Sequence, residues 1–110
     1  MIGPTFEIEV VESEPGTRLV VRGEIDIQSA PQLDEALSNT AGDAVVLDLS
    51  DVTFIDSSGL RVLVMARTRI DSSGRSLVLC ASADSAVVRT IRLAGLTSDF
   101  EVVPNVDDLS

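Results

Sequence analysis

The chain has 110 residues, 45% of them apolar, and 18 acidic against 8 basic side chains give it a formal charge of -10. One domain of ~100–150 residues fills that length and leaves no room for a second, and the acidic balance argues against direct nucleic-acid binding, where Lys and Arg must meet the phosphates. His, Lys, Trp and Tyr are absent, which removes the imidazole of Ser-His-Asp and Cys-His relays, the amine of a Schiff base and the usual zinc ligands.

Phe6-Glu7-Ile8-Glu9-Val10 alternates apolar and charged residues with period two, as a strand with one buried face does. Glu14-Pro15-Gly16-Thr17 has the residues of a type II turn, Pro preset for its first central position and Gly free for positive φ at the second. Arg18 to Gly23 then returns as the antiparallel partner. Ser29-Ala30-Pro31-Gln32 opens a helix, with Ser29 as cap, Gln32 reaching back, and Leu33, Ala36 and Leu37 on one face to near Thr40. Ala44 to Leu49 reads as a central strand, apolar except at Asp48.

From Ser57 the pattern turns helical, with Leu60, Leu63 and Val64 as a stripe widened by Val62, Met65 and Ala66, and Asp71-Ser72-Ser73-Gly74 as its end. Ser76 to Ala81 is another apolar strand. Ala83 to Ala94 forms the third helix, capped by Asp84 or Ser85, with Val87, Ile91 and Ala94 inward, Gly95 as left-handed terminator and Leu96 folding back. Phe100 to Val103 makes a short last strand, and Pro104 to Ser110 at most an incipient helix. Two antiparallel strands followed by alternating helix and strand imply an α/β fold, a mixed four- or five-stranded sheet with helices mostly on one side, over a single domain of residues 1–110. Right-handed crossovers gather the loops after the central strands at one rim, and Asp51 to Ser58 falls there.

Cys80 is the only cysteine and sits in the apolar run Leu77 to Ala81, so it reads as a buried, inert thiol in a reducing compartment. No run approaches the ~20 apolar residues that cross a bilayer, and the amino terminus lacks a basic-then-apolar secretory layout. A cytoplasmic protein with no membrane contact is expected. Residues 1–58 carry 12 acidic and 2 basic side chains, while residues 59–110 carry 6 of each. An acidic half of this kind either steers a basic partner or serves solubility. Asp43, Asp48, Asp51 and Asp56 do not by spacing alone converge on a cation and read as solvated charge, so no metal and no cofactor are expected.

Phe54-Ile55-Asp56-Ser57-Ser58-Gly59-Leu60 joins a central strand to a helix start. Asp56 or Ser57 can cap that helix, Gly59 either packs against the sheet or leaves the backbone open beside the hydroxyl, and a serine at this point meets the positive end of the helix dipole. Asp48-Leu49-Ser50 followed by Phe54, Ile55 and the unbroken Asp56 to Leu60 resembles the signature of the anti-sigma-factor antagonists of the STAS family. Gly23-Glu24-Ile25-Asp26 is similar to that family's Gly-Glu-Leu-Asp element, and Ala94-Gly95-Leu96 with Phe100 to its carboxyl-terminal signature. The chain departs from the family's pattern at Val106-Asp107-Asp108-Leu109-Ser110, where STAS domains commonly finish with a full helix.

The resemblance implies a protein that binds an anti-sigma factor which is also a serine kinase, releases its sigma factor, and is switched off when that kinase phosphorylates Ser58. A phosphatase acting on phosphorylated Ser58 resets it. Asp26, Asp56, Ser57, Ser58, Gly59 and Leu60 would border the partner surface. Such a chain is a ligand and substrate rather than an enzyme; the other role within the family is a scaffold subunit of a stress-signalling or transporter-associated complex with no serine switch. A hydrolase is disfavoured, because Ser58-Gly59 lacks the preceding glycine of a Gly-x-Ser-x-Gly elbow and no imidazole accompanies it.

Overall fold

The computed structural model of the protein describes residues 6–13 and 16–105. Strand β1 (Glu7–Ser13) pairs antiparallel with β2 (Gly16–Ile25), Ile8 opposite Val21 and Val10 opposite Leu19. Phe6 and Ile8 of the period-two pattern pack against the core, while Val10 is left 55% exposed. Glu14 and Pro15 of the expected turn lie outside the described residues, but Gly16 has a reason independent of any turn. It is the first residue of β2, and a side chain there would overlap the Ala44 carbonyl of the next strand. Thr17 follows it into the interior, its hydroxyl donating to the Ala41 carbonyl at 3.0 Å and accepting from the Ala41 amide at 3.2 Å.

Helix α1 (Ala30–Ser38) leads to β3 (Ala44–Ile55), which lies parallel to β2. This strand runs to Ile55, so residues 51–55 belong to the sheet and not to a rim loop. The register explains why the extension was hidden: β3 carries an extra residue between the pairs Val20–Asp48 and Arg22–Asp51, and another between Gly23–Val52 and Glu24–Phe54. Each shift interrupts the alternation that marks a strand. Val52 and Ile55 still turn inward, while Asp51 stays outside within 3.7 Å of Arg22.

Helix α2 (Ser57–Ser72), strand β4 (Ser76–Cys80), helix α3 (Ala86–Leu93) and strand β5 (Glu101–Val103) complete a five-stranded sheet in the order β1-β2-β3-β4-β5, all pairs after the first parallel. Consecutive strands as neighbours, each parallel pair joined through a helix, put successive right-handed crossovers on the same face. The core agrees: Leu33 and Leu37 of α1, Leu63, Ala66 and Ile70 of α2 and Val87 and Ile91 of α3 form one cluster with Leu19, Val21, Val45, Leu47, Leu77 and Leu79 of the sheet. At alternate positions Asp48 is buried within 3.6 Å of Arg18, and Cys80 is buried as expected.

Local details correct the sequence reading in three places. Ser29 precedes α1 but makes no side-chain cap, because its hydroxyl donates to the Glu24 carbonyl at 2.8 Å and accepts the Asp26 amide at 2.9 Å. The buried side of α2 is Gly59, Leu63, Ala66 and Ile70, which leaves Met65 outside. Helix α3 starts at Ala86 with Ser85 as its cap, and Ala94 is exposed past its end. There Gly95 takes φ +76°, and the Gly95 and Leu96 amides bond back to Arg92 and Ile91, the paired bonds of a Schellman stop. Pro104 and Asn105 are not helical, and residues 106–110 of the expected incipient helix lie outside the described residues.

Candidate functional site

Ile25 and Ile55, the last residues of β2 and β3, are paired, so both chains leave the sheet at one rim. The Asp56 amide closes that rim by donating to the Ile25 carbonyl at 3.1 Å. With extended backbone angles Asp56 then caps α2: its Oδ1 accepts the Ser58 amide at 2.9 Å and the Gly59 amide at 3.1 Å, and its carbonyl accepts the Leu60 amide. One carboxylate thus satisfies two of the amides that a helix start leaves without partners.

Gly59 is buried, and a Cβ there would come within 2.6 Å of Ile55 Cγ1 and 2.7 Å of Ile25 Cγ2. Its absent side chain lets the first turn of α2 sit flush on the strand ends. The expectation that Gly59 leaves the backbone open beside the serine is corrected by this burial: the open side of the turn belongs to its neighbours. Ser57 is exposed, and Ser58 and Leu60 are half-buried, Leu60 against the core.

Ser58 opens into a groove of about 320 Å³ between α1 and α2, whose walls include Ile27, Pro31, Asp34, Arg61, Val62 and Met65. Two of these are large apolar side chains left in water, Ile27 at 73% and Met65 at 54% exposure. The sequence reading passed over Ile27 and Arg61 as site residues and placed Met65 in the core. Counting from Ser58 rather than from the buried stripe would have found two of them, since residues 58, 61, 62 and 65 fall on one helical face.

Asp26 is held in a tight local turn, its Oδ1 accepting the Gln28 amide at 3.0 Å, the Ser29 amide at 3.1 Å and the Ser29 hydroxyl at 3.3 Å. The Ser29 amide holds its carboxyl below the ordinary value of 3.8, opposed by partial desolvation and helped by the Gln28 amide and the Ser29 hydroxyl. Asp26 is thus a turn residue, with its Oδ1 bonded within residues 26–29. It shares the rim with Asp56 but opens into a separate hollow, of about 280 Å³, with Phe6, Glu24 and Gln32. The remaining central carboxylates have separate duties, Asp48 beside Arg18 and Asp51 beside Arg22.

Comparison with known proteins follows the same outline. Residues 7–109 match the STAS domain family. The anti-sigma-F factor antagonist RsfB of Mycobacterium tuberculosis is 34% identical over 93 residues, covering 82% of this chain and 75% of its own. The anti-sigma-B factor antagonist of Bacillus subtilis is 33% identical over 100 residues, covering 89% and 88%. Among solved structures, an anti-sigma factor antagonist from Mycobacterium paratuberculosis superposes with a TM-score of 0.83 at 30% identity, over 94% of this chain and 90% of that one. Fold, rim and sequence together show that this chain belongs to the STAS domain family.

Proposed function

We propose that this chain is an anti-sigma-factor antagonist: it binds an anti-sigma factor with serine-kinase activity, displaces the sigma factor, and is switched off by phosphate on Ser58. The family and the names of its relatives support the class of partner. The observation that carries the switch is the position of Ser58, which lines an open groove together with the exposed side chains of Ile27 and Met65. A partner that fills this groove covers the serine along with those two side chains. Phosphate brings about -1.5 to -2 charges, and burying them beside Asp34 and the Asp56 cap costs binding energy through desolvation and repulsion.

In this reading Ser57, Ser58 and Leu60 with Asp26 and Asp56 border the contact, and Gly59 contributes by seating the helix. The chain is the kinase's substrate and no enzyme itself: the γ-phosphoryl of ATP passes to the Ser58 hydroxyl on the partner, and a separate phosphatase removes it. We place it as a single domain acting in the cytoplasm; among the described residues no helix is long and apolar enough to cross a membrane.

Incubation with ATP and the anti-sigma kinases of the same organism, followed by mass spectrometry, tests the proposal. Phosphate is expected on Ser58, with none in Ser58→Ala and undiminished labelling in Ser57→Ala. Ser58→Asp is expected to weaken the complex by roughly tenfold or more. Labelling confined to Ser57, or a partner that binds Ser58→Asp as it binds the parent, would overturn the switch and leave the scaffold role.

A further inference from the structure

A phosphate on Ser58 needs a counter-charge, and the helix start that would ordinarily supply one is already in use. Asp56 Oδ1 holds the Ser58 and Gly59 amides, and the Leu60 amide is bonded to the Asp56 carbonyl. The group filling that anion site is itself an anion, so the dipole of α2 is largely answered before any phosphate arrives.

The groove supplies the missing cation. Arg61 lies three residues after Ser58 on the same face and lines the same groove. Helical side chains slope toward the amino terminus, so a long side chain covers the turn before its own Cα, which for Arg61 is the turn carrying Ser58. Among the described residues it is also the arginine left without an ion pair or hydrogen bond. Arg18, Arg22, Arg67 and Arg69 face carboxylates, and Arg75, Arg89 and Arg92 donate to backbone carbonyls. The acid lining the groove, Asp34, is within 3.7 Å of Arg69.

We propose that Arg61 is the intramolecular counter-ion of phosphorylated Ser58, a positioning residue that folds back one turn to pair with the phosphate. This rests on the reading of Ser58 as the phosphate acceptor. Its consequence for the switch is twofold: modification adds an anion to the contact surface and withdraws the unpaired guanidinium from it. Two parallel N–H donors suit a phosphate better than the single ammonium of lysine, so the pairing is specific to arginine.

Phosphoserine incorporated at position 58 during synthesis, with no kinase involved, allows the pairing to be tested separately from the enzymology. The second phosphate ionisation is followed by phosphorus NMR against pH in the parent, Arg61→Ala and Arg61→Lys. The charges facing the phosphate are Asp56 and Asp34 on one sign and Arg61 on the other, and only Arg61 changes. The midpoint is expected to rise by roughly 0.2–0.7 unit in Arg61→Ala, to be partly restored in Arg61→Lys, and to differ less at high salt. Coincident titrations in parent and Arg61→Ala would overturn the proposal. Failure of every kinase to modify Ser58 would instead sink the switch and leave the titration result standing.

Discussion

Helices α2 and α3 both start from the carboxyl end of a parallel strand, and their first turns are phased in opposite ways. In α3 the second residue, Val87, is fully buried and the third, Val88, is half-buried, so the turn anchors itself with side chains. In α2 the second residue is Ser58 on the groove, and the third is Gly59 pressed against Ile25 and Ile55. The caps differ in step: Ser85 accepts one amide, Asp56 two. A helix fixed by its backbone in this way is free to turn a small polar residue outward at the place where α3 must spend a valine on the core. The signature Asp-Ser-Ser-Gly-Leu therefore has a physical reading, in which cap and glycine hold the turn and the serines are what it displays.

The sharpest way to break the contrast is to put the same charge at the same position of both helices. Val87→Asp buries an unpaired carboxylate and is expected to cost about 4 kcal/mol or more, a large share of the roughly 5–15 kcal/mol that holds an ordinary domain folded. Ser58→Asp has an open groove to occupy and should move the melting temperature by no more than about 3 °C. Thermal unfolding of the two variants decides it. A loss in Ser58→Asp comparable to that in Val87→Asp would mean that Ser58 is a core position and that no partner reaches it.

Gly59→Ala probes the other half of the comparison. A helix interior normally gains about 1 kcal/mol from Gly→Ala, but here the added methyl meets the β-branched stems of Ile25 and Ile55 closer than 3 Å. Overpacking of that kind costs about 1–3 kcal/mol, which offsets the propensity gain and leaves a net loss of up to about 2 kcal/mol in urea unfolding, together with weaker partner binding as the turn is lifted off the sheet. Unchanged or increased stability would show that the isoleucines yield easily and that the glycine is not what seats the helix.

Much of the fold was legible because its signals are local and regular: alternation wrote β1, the turn residues after it implied β2 as its partner, and apolar runs wrote the first half of β3 and β4. The second half of β3 was not, because two extra residues break the alternation and Ser50, Asp51 and Thr53 look like loop. Capping was legible to within one residue at α2 and α3, where Asp56 and Ser85 each proved to be one of two candidates, but not at Ser29, whose hydroxyl is claimed by Glu24 and Asp26, partners that only the turn brings near. At the site, the motif pointed to Ser58 and could not show the groove, since Ile27 and Pro31 reach it from another element. Met65 was misplaced because an apolar residue beside a core stripe is ordinarily part of the core.

The smallest expected effect concerns Asp26, which shares the rim with Asp56 yet serves a turn rather than a helix start. Its carboxyl is held below 3.8 chiefly by the Ser29 amide. A depressed folded value means that the ionised form favours the fold, so its contribution is complete above the unfolded value and is lost as pH falls through the folded one. The stability difference between the parent and Asp26→Asn, measured by urea unfolding, should be constant above about pH 5 and shrink below about pH 4 as both come to carry a neutral side chain. A difference that grew in acid would show the opposite, a carboxylate tolerated rather than used, and would remove the reason for treating the Asp26 turn as a fixed part of the rim.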